Sequence, residues 1–75
     1  ITQSKNGYLW IGTRDGLARF DGLNFKVYRS DEYEALVSDD IRSLYEDNLG
    51  RLWIGTFNGG VTCFEDGAFR NYSDQ

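Results

Sequence analysis

The pentapeptide Leu-Trp-Ile-Gly-Thr occurs twice in this chain of 75 residues, at 9–13 and again at 52–56. Its tryptophans, Trp10 and Trp53, stand 43 residues apart. A period between roughly 20 and 50 residues marks a repeat architecture, in which each unit has an apolar face that only a neighbouring unit can cover. The chain must therefore fold as like units set side by side.

The correspondence runs past the pentapeptide. At the same spacing Gly7 matches Gly50 and Gly16 matches Gly59. One extra residue then enters the second copy at Gly59-Gly60, and the spacing becomes 44. In that register Phe20 matches Phe64, Asp21 matches Glu65, Phe25 matches Phe69, Lys26 matches Arg70 and Tyr28 matches Tyr72. Upstream, Ile1 falls opposite Leu44, so the chain starts partway through its first unit. The sequence has no Met and starts at Ile, so the expectation is a piece of a longer product.

Tyr, Phe, Trp, Val, Ile and Thr cluster in short runs, Gly and Asp or Asn separate them, and Pro is absent. That composition reads as β-structure. Strands are predicted over 1–4, 8–13, 17–21 and 25–28, then over 41–46, 51–56, 60–65 and 68–72. Asp15-Gly16, Asp21-Gly22, Asn58-Gly59 and Asp66-Gly67 supply tight turns, since these pairs adopt the backbone that hairpins need. Alternation sets Tyr8, Trp10 and Gly12 on one face and Leu9, Ile11 and Thr13 on the other. Both faces carry apolar groups, as in a sheet held between two others. The acidic stretch 30–40 is the longest connection and reads as a solvated linker, pinned to the sheet edge by Leu36 and Val37.

The expected fold class is all-β: two four-stranded antiparallel β-propeller blades. They are either a fragment of a propeller or a two-blade unit that closes a ring by oligomerising. The first blade, its N-terminal strand incomplete, spans 1–29; the linker spans 30–40; the second blade spans 41–75. A compact eight-stranded barrel or sandwich is the runner-up, but it has no need for repeated turn sites.

Composition excludes several chemistries. Without His there is no Ser-His-Asp or Cys-His arrangement and no typical Cys/His zinc site. The lone Cys63 cannot form an internal disulfide and reads as a passive, partly buried thiol. Asp39 and Asp40 are adjacent in a loop and do not face each other across a substrate. No phosphate-loop motif occurs. Asp47-Asn48-Leu49-Gly50 lacks the ligands of a calcium loop. The net charge of −4 comes with no basic stripe, which argues against nucleic acid as a partner. No apolar run is long enough to cross a bilayer. The expectation is no enzyme, no cofactor, no metal and no direct membrane insertion by this segment.

Both copies resemble the two-component-regulator propeller repeat, whose hallmark runs roughly D-x-x-G-x-L-W-I-G-T-x-x-G-L-x-R-F-D. The second copy supplies Asp47, Gly50, Leu52, Trp53, Ile54, Gly55, Thr56 and Gly59. The first supplies Gly7, the pentapeptide 9–13, Gly16, Leu17, Arg19, Phe20 and Asp21. Ser4 stands in place of the usual Asp, and Gly60-Val61-Thr62-Cys63 in place of Gly-Leu-x-Arg. The resemblance implies a place in bacterial signal transduction. Such repeats build propellers in the periplasmic or other extracytoplasmic part of membrane-bound sensors. Kinase or cyclase output domains lie elsewhere in those proteins, and in some of them the ligands are oligosaccharides.

The repeated residues build the scaffold. Trp10 and Trp53 are expected to pack between adjacent blades, and Gly12 and Gly55 to permit close approach within a strand. Binding in repeat proteins sits where copies differ, on loops. The candidate ligand-binding residues are therefore Arg14 and Asp15 against Phe57 and Asn58, with Tyr8 and Tyr33 as rings on which a sugar could stack. The function expected is a non-catalytic ligand-sensing propeller segment of a bacterial two-component sensor, responsive to carbohydrate. The alternative is a self-assembling lectin-like or protein-interaction propeller module. The partners in either case are further blades, from the same parent chain or from homo-oligomer copies.

Overall fold

Leu9–Thr13 and Leu52–Thr56, the two pentapeptides, are the second strands of two matching sheets. The computed structural model describes residues 1–72. The end of the second unit as read from sequence, 73–75, lies outside the described residues. The first sheet is β1 (Thr2–Gln3), β2 (Leu9–Thr13), β3 (Gly16–Phe20) and β4 (Phe25–Tyr28). The second is β5 (Ile41–Glu46), β6 (Leu52–Thr56), β7 (Val61–Glu65) and β8 (Ala68–Tyr72). Each is an antiparallel meander with strands in chain order, and no helix occurs among the described residues. The two sheets are arranged as propeller blades, and they do not close a ring.

The extra residue of the second copy sits in a hairpin. Thr13 pairs with Gly16, which leaves the loop Arg14-Asp15. In the second blade the Thr56 N–H donates to the Gly60 carbonyl at 3.1 Å, which leaves the loop Phe57-Asn58-Gly59. Asn58 takes the left-handed φ of 66°, which Asn tolerates better than most residues. Both hairpins are braced alike. The Thr13 hydroxyl donates to the Gly16 carbonyl at 2.9 Å, and the Thr56 hydroxyl to the Gly60 carbonyl at 3.0 Å.

The core lies between the blades. Trp10, Leu17 and Tyr28 of the first blade meet Leu52, Ile54, Phe64 and Phe69 of the second. Trp10 stands edge-on to Phe64 at 5.3 Å between ring centres, and Tyr28 stands edge-on to Phe69 at the same distance. Gly12 of β2 lies against Ile41 of β5. A Cβ on it would lie 2.5 Å from Cγ2 and 3.0 Å from Cβ of the buried Ile41.

The linker is anchored on one of its two expected residues. Leu36 is 0% exposed and belongs to the core, whereas Val37 is 53% exposed. Leu36 fills the seat over the core, so its neighbour turns to solvent. Tyr33 does the work expected of Val37, standing edge-on to Tyr28 at 5.1 Å and to Phe69 at 5.2 Å. Backbone and side-chain hydrogen bonds hold the rest. The Thr62 hydroxyl donates to the Ala35 carbonyl at 3.0 Å, and the Ser30 N–H donates to the Asp39 carboxylate at 2.7 Å.

The two pentapeptide glycines should respond differently to a methyl group. At Gly12 the obstacle is the branched carbon of a buried side chain, so Gly12→Ala should cost about 1–3 kcal/mol by overpacking. At Gly55 the atom met is the Ser43 hydroxyl, which can rotate away. Urea unfolding of the two variants should place Gly12→Ala clearly below Gly55→Ala. Equal losses would mean that the approach of β2 to β5 is not a tight constraint.

Candidate functional site

Strand direction sorts the loops. In an antiparallel meander the β2–β3 hairpin, the β6–β7 hairpin and the linker share one rim of the sheets, and the remaining turns share the other. Arg14, Asp15, Phe57 and Asn58 therefore occupy a single rim, and all four are exposed.

That rim carries an ordered charged group. Arg42 donates from Nε to Asp40 Oδ1 at 2.9 Å and from Nη2 to Oδ2 at 3.0 Å, a bidentate pair that fixes both side chains. The Arg42 guanidinium also lies over the Phe57 ring, 4.8 Å from its centre. The Phe57 N–H donates to the Asp40 carbonyl at 3.0 Å, which ties the hairpin to the start of β5. The Arg42 hydrogen bond holds the Asp40 carboxyl below its usual range, and the charges of Arg42 and Arg14 assist. Arg14 of the first blade lies on the same rim. Phe57, at 52% exposure, offers a ring beside these fixed donors and acceptors. The arrangement suits stacking and polar recognition. Sequence reasoning missed Asp40 and Arg42, although opposite charges two apart in extended chain point to the same side.

The other two candidates lie elsewhere. Tyr8 is at the opposite rim, with the Arg19 guanidinium 4.4 Å above its ring. It borders a cleft of about 270 Å³ between the blades, walled also by Trp10, Glu46, Glu65 and Asp66. Tyr33 is half-buried between β4 and β8, where its ring belongs to the core packing. Neither joins the hairpin rim.

Trp53 shows why an Asp precedes the pentapeptide in the second copy. Asp47 accepts from the Trp53 indole N–H at 2.9 Å, from Arg51 Nε at 2.7 Å, and from the backbone N–H groups of Leu49 and Arg51 at 2.9 and 3.0 Å. These bonds, the indole one foremost, push its carboxyl far below the usual range. In the first copy Ser4 occupies that place, and its hydroxyl bonds Asn6 Oδ1. Cys63 is 4% exposed. Burial pushes its thiol up, which leaves it protonated and a poor nucleophile. Among the described residues no three His, Cys, Asp or Glu side chains gather as a metal site, and no helix is long and apolar enough to cross a membrane.

The profile of the two component regulator propeller family matches residues 35–58, from the end of the linker through β5 and β6 into the hairpin. Over that span the chain is similar to a two component regulator propeller repeat. A protein of Formosa agariphila named Histidine kinase P4 is 63% identical over 30 residues, or 40% of this chain. The chain spans about 2% of the length of that curated relative. The matched span contains Asp40, Arg42 and Phe57, and Arg14 lies on the neighbouring blade.

The Asp47 network makes stability depend on pH. Its carboxyl titrates lower in the folded chain than the ordinary value near 3.9. The network therefore stabilises the fold above that ordinary value, and the contribution is lost as pH falls toward the folded one. Thermal unfolding should show the wild type losing stability below about pH 5. Asp47→Asn should melt lower near neutrality and show a shallower acid slope. An unchanged slope would remove Asp47 as its source.

Proposed function

We propose that this propeller segment is a non-catalytic, ligand-sensing part of a bacterial two-component sensor, and that its ligand is an oligosaccharide held at the hairpin rim. The observation that carries this reading is the rim group of Phe57, Arg42, Asp40 and Arg14. An exposed ring beside a bidentate ion pair suits a sugar, whose apolar face stacks while its hydroxyls take hydrogen bonds. Similarity to a histidine kinase favours a sensing role within a longer signalling protein, with catalysis carried elsewhere in it. In such a protein the segment would lie on the extracytoplasmic side, where saccharides are met. Asp15 and Asn58 are exposed on the same rim and would supply further polar contacts.

Titration of the chain with a panel of neutral and acidic oligosaccharides, read by calorimetry, tests this. Phe57→Ala should weaken binding about tenfold, equivalent to about 1.4 kcal/mol, and leave the melting temperature unchanged. Tyr8→Ala, at the opposite rim, should bind like the wild type. If no saccharide binds, or if Phe57→Ala binds as well as the wild type, the reading fails.

A further inference from the structure

The cleft of about 270 Å³ between the blades opens at the rim opposite the hairpin group. That volume is at the small end of the range for ligand sites. One wall is the cross-strand pair Trp10 and Arg19, on β2 and β3. The facing wall is the row Glu46, Leu52 and Phe64, across β5, β6 and β7. The buried Trp10 and Leu52 make the floor apolar, and the Phe64 ring is set edge-on against Trp10. Asp66 lies at the mouth, in the turn between β7 and β8.

Arg19 is fixed in this cleft without a polar partner. Its guanidinium lies over the Tyr8 ring, 4.4 Å from the centre, and stands 5.8 Å from the Trp10 ring and 5.9 Å from the Tyr28 ring. Aromatic faces hold such a cation by its flat side. Its N–H donors meet no acceptor among the described residues, and no carboxylate there pairs with it. Glu46 is fixed from the other side. Its Oε1 accepts the backbone N–H of Lys5 at 2.9 Å, which ties the first-blade turn to the second blade. Its Oε2 accepts no hydrogen bond among the described residues. Glu65 also borders the cleft, but alternation along β7 sets it with Cys63 on the other sheet face, where its charge acts on Arg51. So a cation and an anion face each other across the cleft, both held in place, and do not join.

We propose that the cleft between the blades binds a free α-amino acid with an apolar side chain. The ligand's carboxylate takes the Arg19 donors, its ammonium donates to Glu46 and Asp66, and its side chain lies on Leu52 and Phe64. Hydrogen bonds between charged partners are the strong ones, and a ligand with a single charge leaves one wall unanswered. The stacked guanidinium and the tied carboxylate are already in position, so little side-chain freedom is lost on binding. The site is remote from Phe57 and goes beyond the saccharide reading.

Calorimetric titration with leucine tests the proposal, beside two of its analogues. Isoamylamine lacks the carboxylate and isocaproate lacks the ammonium. Leucine should bind about tenfold or more tighter than either. Arg19→Gln should bring leucine down to the level of isoamylamine and leave isoamylamine itself unchanged. Glu46→Gln should bring leucine down to the level of isocaproate and leave isocaproate unchanged. A merely structural role for either residue would weaken all the ligands alike. Thermal melting identifies a variant that fails to fold, and the other variant then carries the same comparison. The proposal is overturned if leucine does not bind at about 10 mM, or if either analogue binds as well as leucine. It is overturned equally if the folded variants keep the wild-type ranking of the ligands.

Discussion

Phe64 and Phe69 press on Trp10 and Tyr28 across the gap between two sheets, and most of the structure depends on that contact. A four-stranded meander of this size cannot bury a core by itself, and a domain of 75 residues has little apolar surface to spare. The core is therefore shared. Gly12 permits it by letting Ile41 approach where any side chain would intrude. The linker completes it from outside, by laying Leu36 and Tyr33 over the seam. Contact between blades and the path of the connection are thus one constraint.

That constraint divides the residues by role. Positions facing the seam repeat because every blade must present the same surface. Positions at the hairpin tips are released from it, and there the copies diverge. Arg14-Asp15 forms a two-residue loop, whereas Phe57-Asn58-Gly59 forms a longer one whose ring lies against Arg42. The divergence has structure of its own. Asp40 and Arg42 sit at the start of the strand beneath Phe57, so their ion pair and the ring form one rigid group.

The strand pattern was legible because the repeat allowed each strand to be read twice. Where Gly7 and Gly50 coincide, a turn position follows without reference to packing. Several features were not legible. The choice between Leu36 and Val37 depends on how the linker crosses the seam, and periodicity is silent there. The placing of Tyr8 and Tyr33 depends on strand direction and on the core. Tyr8 and Arg14 flank β2 at its two ends, so the two fall on opposite rims. Tyr33 is drawn inward by Tyr28 and Phe69. The Asp47–Trp53 bond was hidden because it needs the turn at 47–50 to fold the carboxylate back over the following strand.

The tryptophans of the two pentapeptides are identical in sequence and differ in what holds them. Trp10 is 3% exposed and is fixed by the blade packed on it. Trp53 has no such neighbour among the described residues, and its own blade fixes it instead. Asp47 takes its indole N–H, Arg51 stands 5.5 Å from its ring, and Tyr72 flanks it. The acidic residue thus has two effects. It stabilises the turn that leads into the central strand, and it fixes the tryptophan through its indole N–H.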